Sequence, residues 1–517
     1  MKLALLLALR FQDVATEAGL RFILENGATP QKRMIETMPG GIAVFDYDND
    51  GLPDIYFTNG ASVPSLRKDA PKYWNRLFHN EGRMRFRDVT EAAGVAGEGY
   101  SMGAAVGDFD NDGFVDLFVA GVNRNILFRN LGNGRFSDVT ARAGIRNNEW
   151  GVAGGWFDYD NDGRLDLIVV NYGRWEADQN RFCGDESRKL RVYCHPKYFD
   201  PRPNQLYRNR GDGTFEDMTQ SSGIGAHAGR GMSVAFADYD SDGLMDAFLT
   251  NDNLPNFLFR NLGNGKFEET ALLAGAALLD HGKPIASMGA DFRDYDNDGY
   301  PDINVTALNG ETFPVFRNDG KGGFRDATYA SGVAGLSTGY SGWGNGWVDF
   351  NNDGWKDLFT ANSHVNDVVE KFEAAVYKQP NAVFVNLGKG KFAAVPNAGL
   401  ERAAKAHRGA AFADFDSDGR VDVVVTALGE PAELWKNVTP AAGPWLGVQL
   451  IGRSIGARVR IGDQVQWMTT AVSYASSAHV PLHFGSPKGP VEIRWPSGKT
   501  QIVEPEGFDR VLKIVEP

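Results

Sequence analysis

Asp46-Tyr47-Asp48-Asn49-Asp50-Gly51-Leu52-Pro53-Asp54 is the first of seven copies of one pattern, D-x-[DN]-x-D-G-x-x-D. The later copies begin at Asp108, Asp158, Asp238, Asp294, Asp349 and Asp414, 50 to 80 residues apart. A repeat of this length signals a propeller or a linear array. Each copy follows a small-residue run such as Gly103-Ala-Ala-Val-Gly-Asp108 and precedes a β-rich run such as Asp116-Leu-Phe-Val-Ala. A third run, Ile126-Leu-Phe-Arg-Asn130, leads through Gly132-Asn-Gly134 into Phe136-Ser-Asp-Val-Thr140. The repeat therefore reads as four short strands joined by tight turns, the unit of a β-propeller.

The seventh copy ends at Leu434-Trp-Lys-Asn437 without its fourth strand. The missing type of segment stands at the other end of the chain, as Phe11-Gln-Asp-Val-Ala-Thr16. The expectation is an all-β, seven-bladed propeller over 11–440, closed by the N-terminal strand so that no sheet edge is left open. The repeat stops at Pro440-Ala-Ala-Gly-Pro444, and residues 445–517 read as a separate small β domain. Three insertions, 61–75, 173–204 and 363–380, interrupt the repeats. Val365, Val368, Val369, Phe372 and Val376 give the last one the spacing of a short amphipathic helix.

The loops define the chemistry. Calcium takes six to eight oxygen ligands, and a nine-residue loop with carboxylates at positions 1, 3, 5 and 9 and a carbonyl at position 7 supplies them. The first loop offers Asp46, Asp48, Asp50, Asp54 and the Leu52 carbonyl; the second Asp108, Asp110, Asp112, Asp116 and Phe114. The third offers Asp158, Asp160, Asp162, Asp166 and Arg164; the fourth Asp238, Asp240, Asp242, Asp246 and Leu244. The fifth has Asp294, Asp296, Asp298, Asp302 and Tyr300; the sixth Asp349, Asn351, Asp353, Asp357 and Trp355; the seventh Asp414, Asp416, Asp418, Asp422 and Arg420. Glycine at position 6 permits the sharp turn around the ion. Four carboxylates in nine residues repel one another unless a cation is present. About seven Ca²⁺ would bring the net charge of −13 to about +1, so the acidity is an ion-binding feature. Asn351 removes one charge, and the sixth site is expected to be the weakest.

An acidic chain of this kind disfavours general nucleic-acid binding. With two cysteines, Cys183 and Cys194, a dense disulfide scaffold is excluded; the pair reads as a local disulfide if the protein is exported. Residues 1–10, with Lys2 before the apolar run Leu3–Leu9, read either as the remnant of a secretory signal or as a buried first strand; export to the periplasm or beyond is the preferred expectation. That run is too short to span a bilayer.

The loops and their flanks resemble FG-GAP or VCBS repeats of the integrin alpha-chain type. Ser454-Ile-Gly-Ala-Arg-Val459, Leu482-His-Phe-Gly485 and Val491-Glu-Ile-Arg-Trp-Pro-Ser-Gly498 resemble the ASPIC/UnbV domain. The combination is similar to the cartilage acidic protein family. The resemblance implies a seven-bladed, calcium-loaded, exported protein and leaves the activity open.

Segments entering the first strands are expected to converge on one mouth of the ring, bringing Tyr100, Trp150, His227, Arg230, Met288, Tyr340, Trp343, His407 and Arg408 near Asn171, Asn251, Asp252, Asn309, Asn362 and His364. Such a mouth reads either as a ligand site or as ordinary loop packing around a wet channel. His227, Arg230, His364 and His407 are the weak catalytic candidates. His479 and His483 lie in strand-like sequence and read as structural. The preferred function is an exported calcium-binding interaction module for a protein or glycan. The alternative is an enzyme of secondary metabolism working at the channel mouth.

Overall fold

The computed structural model describes residues 9–146, 148–178, 181–440 and 442–517; most of the N-terminal apolar run lies outside them. The fold is all-β and propeller-type. Among the described residues the strands around each aspartate loop form an antiparallel four-stranded unit; four such units are sheets of their own, one is part of a six-stranded sheet, and two share an eight-stranded sheet. The first unit comprises Ile42–Phe45, Asp54–Phe57, Arg76–Asn80 and Phe86–Asp88. In the unit holding His407–Ala413, Asp422–Ala427 and Glu430–Asn437, the fourth strand is Phe11–Asp13, paired through Phe11 with Asn437 and Asp13 with Trp435.

Apolar residues are buried chiefly between neighbouring units. Phe45, Tyr56 and Leu77 of the first pack on Val106, Leu117 and Phe128 of the second. Ile42, Ile55 and Phe57 of the first also pack on Ala411, Val424 and Leu434 of the seventh. Five units close with one helical turn, such as Thr90–Ala93, ended by a glycine in the left-handed region (Gly94, φ 77°). That turn is absent from the four-strand sequence reading.

One asparagine per unit ties the ring together. Asn80, Asn130, Asn209, Asn261, Asn318, Asn386 and Asn437 end the third strands, and all are buried. The amide of Asn130 donates to the Val115 carbonyl in its own unit (3.1 Å) and to the Tyr47 carbonyl in the unit before (2.8 Å). Asn261 bonds Met245 and Tyr159 in the same way, and Asn318 bonds Pro301 and Tyr239. In the first unit the backward bond runs from Asn80 to Phe415 of the seventh, at 2.9 Å.

The C-terminal segment is not a separate body. Its two sheets enclose Leu446, Val448, Val459, Phe484, Ile493 and Trp495, but residues 470–479 leave them and enter the axis of the propeller. Ser476–His479 pairs in parallel with Ile42–Phe45. Ala475 O accepts from Ala104 N (3.0 Å), Ser473 Oγ from Asn345 N (2.9 Å), and Ser477 Oγ from Val106 N (3.1 Å). Tyr474, fully buried, donates to the Met38 carbonyl at 2.8 Å and meets the Trp343 ring edge-on at 5.0 Å. This packing explains the glycine-rich first strands: a Cβ on Gly103 would lie 2.4 Å from the Val152 carbonyl oxygen and 3.0 Å from that of Ala475.

On the opposite side the insertions interlock. Tyr193 N donates to Asn366 Oδ1 (2.8 Å), and Lys32 pairs with Asp367 (2.6 Å). The amphipathic helix expected in 363–380 is a single 3-10 turn, Val369–Lys371. Val369 is buried while Phe372 and Val376 are exposed, so the segment has no one apolar face to stabilise a helix.

Replacing Asn261 by Ala leaves two buried carbonyls without donors. The expected cost is about 2–4 kcal/mol in urea unfolding, and an unchanged midpoint would show that the inter-unit bond contributes little.

Candidate metal centre

Each aspartate loop is built by its own backbone. In the first, Asp46 accepts from Asp50 N (3.0 Å) and Gly51 N (2.8 Å), and Asp50 accepts from Leu52 N (2.8 Å). Position 4 lies in the left-handed region in all seven loops, as with Asn49 at φ 61° and Ser241 at φ 63°, and it carries only Asn or Ser. Asparagine tolerates that conformation better than most residues. Asn49 and Asn111 use their amides to bond Gly113 and Gly163 of the next loop, linking neighbouring sites.

The position 9 aspartates are the most constrained. Asp54 is wholly buried, accepting from Tyr47 N (3.0 Å) and Asn80 N (2.7 Å). Asp116, Asp166, Asp246, Asp302, Asp357 and Asp422 repeat both bonds. Burial, aided by neighbouring carboxylates, pushes Asp54 up to about 8. The same causes raise Asp108, Asp158, Asp238 and Asp414 to about 6 and Asp294 to about 7.

Ligand atoms converge. Carboxylate oxygens of Asp108, Asp110 and Asp116 lie within 4.8 Å of one another, as do those of Asp158, Asp160 and Asp166 and of Asp238, Asp240 and Asp246. Six loops keep a buried carboxylate oxygen with no hydrogen-bond partner: Asp48, Asp110, Asp160, Asp238, Asp296 and Asp416, at Oδ1 in each case. An orphaned anionic oxygen inside an oxygen cage fits a hard cation. The sixth loop has no such oxygen. There Asn351 Oδ1 accepts from Asp353 N, its amide donates to Asp353 Oδ2, and the loop packs against the C-terminal segment through His483 and Asn352 (2.7 Å).

The third-strand residue before each Asn faces its loop. Arg129, Arg208, Arg260 and Arg317 pair with Asp110, Asp160, Asp240 and Asp296 at 2.5 to 2.7 Å, and Lys436 pairs with Asp416. The first loop has His79 at this place and the sixth has Val385. Sequence reasoning overlooked these positions and the staple asparagines, although the recurring x-Asn after Leu-Phe was visible.

The expected mouth is packed shut. Tyr100, Trp150, Arg230, Met288, Trp343, His364, His407 and Arg408 are all buried, as are Asn171, Asn251, Asp252 and Asn362; His227, Tyr340 and Asn309 are partly exposed. The catalytic candidates have separate duties. His227 packs edge-on to Phe259, Arg230 bonds the Phe199 carbonyl (2.8 Å), and His364 accepts from Asn366 N (3.0 Å). His407 pairs with buried Glu433 at 3.0 Å. Burial acts to raise Glu433, but His407, Lys405 and the Trp435 indole outweigh it and hold the carboxyl at about 2. His479 and His483 are each held at about 4 by burial, and His483 stacks on Trp445. Cys183 and Cys194 form a disulfide within their insertion.

Carboxylates raised in the folded state favour protonation, so the ion-free chain loses stability as pH rises from about 4 to about 8. Cation binding needs the ionised form. The gain in Tm from excess Ca²⁺ over chelator is therefore expected to grow between pH 5 and pH 8; a gain independent of pH would argue that these carboxylates hold no cation.

Models of the FG-GAP-like repeat match residues 46–119, 108–169, 192–249, 242–305, 294–360 and 373–425, and the ASPIC and UnbV model matches 451–517. Cartilage acidic protein 1 of Mus musculus is 26% identical over 343 residues, covering 62% of this chain and 50% of its own length. The Homo sapiens protein is 25% identical over 345 residues, covering 62% and 48%. The chain thus spans about half the length of these relatives. Among solved structures, an Agrocybe aegerita lectin that recognises non-reducing terminal N-acetylglucosamine aligns at TM-score 0.40 and 16% identity, over 76% of this chain and 87% of its own. YCF48 bound to D1 peptide aligns at TM-score 0.44 and 7% identity, over 79% and 94%. The repeat models span most of residues 46–425, and on that match the chain belongs to the FG-GAP-like repeat family, with an ASPIC and UnbV segment at its C-terminal end.

Proposed function

We propose that this protein is an exported, calcium-loaded interaction module: a seven-bladed propeller over 11–440, closed by its N-terminal strand, that binds a protein or glycan partner. The observation that carries the binding reading is the filled axis. With Tyr474 and its hairpin inside the ring and Arg230, His364 and His407 buried in separate contacts, there is little room for a reaction at the mouth. The insertion face is accessible. Phe182, Tyr198 and Phe372 are exposed there, with Arg181 over Tyr198 (4.5 Å) and Arg191 over Phe182 (5.4 Å). Exposed aromatic and arginine side chains are the usual anchors of binding surfaces. The disulfide supports an oxidising destination. No helix of the described residues is long and apolar enough to cross a membrane.

About seven Ca²⁺ per chain are expected by native mass spectrometry, with the sixth loop the first to empty on dilution. Zero bound calcium in a folded protein would end the calcium reading. Glycan-array and extracellular-protein screens with wild type and Y198A/F182A test the partner reading. A ligand lost in the double variant supports it; ligand binding unchanged by the pair would move the binding surface elsewhere.

A further inference from the structure

The first loop differs from the other six in one ligand-bearing side chain. Where four units place Arg, one Lys and one Val, this unit places His79. Its Nδ1 lies 3.2 Å from Asp54 Oδ1 and 3.5 Å from Asp48 Oδ2, and its Nε2 lies 4.0 Å from Asp50 Oδ2. One nitrogen of the ring and one oxygen each from Asp48 and Asp54 share a sphere small enough for a single ion. Despite this closeness, Nδ1 is buried and makes no aligned hydrogen bond, and Asp48 Oδ1 is equally without a partner. The ring is held edge-on to Tyr47, 5.8 Å between centroids, with 15% of the side chain exposed. An orphaned ring nitrogen beside two carboxylates, in a loop that also keeps an orphaned carboxylate oxygen, is what a coordinated ion would satisfy.

The element matters. Ca²⁺ and Mg²⁺ prefer oxygen throughout, whereas Zn²⁺, Mn²⁺ and Co²⁺ accept imidazole nitrogen beside carboxylates. An arginine in the same place cannot ligate, because its guanidinium stays protonated; it can only balance charge. We infer that the first loop is a mixed nitrogen–oxygen site for a first-row transition-metal dication, with His79, Asp48 and Asp54 as ligands, while the other loops remain oxygen sites. This rests on the reading of the loops as cation sites and refines it for one of them.

The test uses the full chain in excess Ca²⁺, titrated with Zn²⁺ or with Co²⁺ as an optical probe, and compares wild type with H79R and H79Q. D110N in the second loop is the control. Wild type and D110N should each retain one Zn²⁺, and the Co²⁺ complex should show visible d–d bands. Both His79 variants should bind Zn²⁺ at least about 100-fold more weakly, with Tm in Ca²⁺ showing that each is folded. H79R places at this position the guanidinium that four other units carry, so it also separates ligation from mere charge balance. Zinc bound with wild-type affinity by H79R, or no zinc retained by wild type, overturns the inference. Calcium stoichiometry of the remaining loops, measured in the same samples, judges the calcium reading independently: zinc at His79 with no calcium elsewhere would uphold this site and reject that reading.

Discussion

A buried carboxylate bonded to two backbone amides is the constraint around which each unit is arranged. Asp54 and its six counterparts accept from the second residue of their own loop and from the asparagine that ends the third strand. That asparagine then reaches back to the preceding unit. One aspartate thus fixes loop, strand and neighbour together. Its cost is a charge removed from water, which the protein bears seven times over. Desolvation on that scale is tolerable only if the anion is protonated or faces a cation, and the orphaned oxygens in six of the loops show that the backbone alone does not satisfy those clusters.

The fold class was legible because the repeat carries its own punctuation. Glycine at position 6 and Asn or Ser at position 4 mark backbone that few residues adopt, so the turn can be read without a partner. The fourth strand of the last unit was legible for the same reason: Phe11-Gln-Asp-Val matches the local signature of the other fourth strands, and it pairs with Asn437. Local chemistry of this kind survives in a string of letters.

Long-range contacts did not. Nothing in Ser473-Tyr474-Ala475-Ser476-Ser477 marks it as the filling of an axis, since its partners come from inner strands hundreds of residues away. Read as a separate domain, 445–517 left the mouth open on paper, and Trp343, His407 and Arg408 looked available. In the structure all three are buried; Trp343 meets Tyr474 of that hairpin, and Arg408 stacks its guanidinium on Trp343 at 4.0 Å. The helix expected in 363–380 failed differently: valine spacing suggested a face, but the interlock of Asn366 with Tyr193 decides the path.

The hairpin in the axis also constrains the order in which the molecule can be completed. Its hydrogen bonds reach inner strands of units separated by more than 200 residues of chain, so it cannot seat until those strands are aligned, and it is synthesised after all of them. Contacts of such sequence separation form slowly. During synthesis the inner strands must wait with exposed amides and apolar edges, the condition in which chains aggregate.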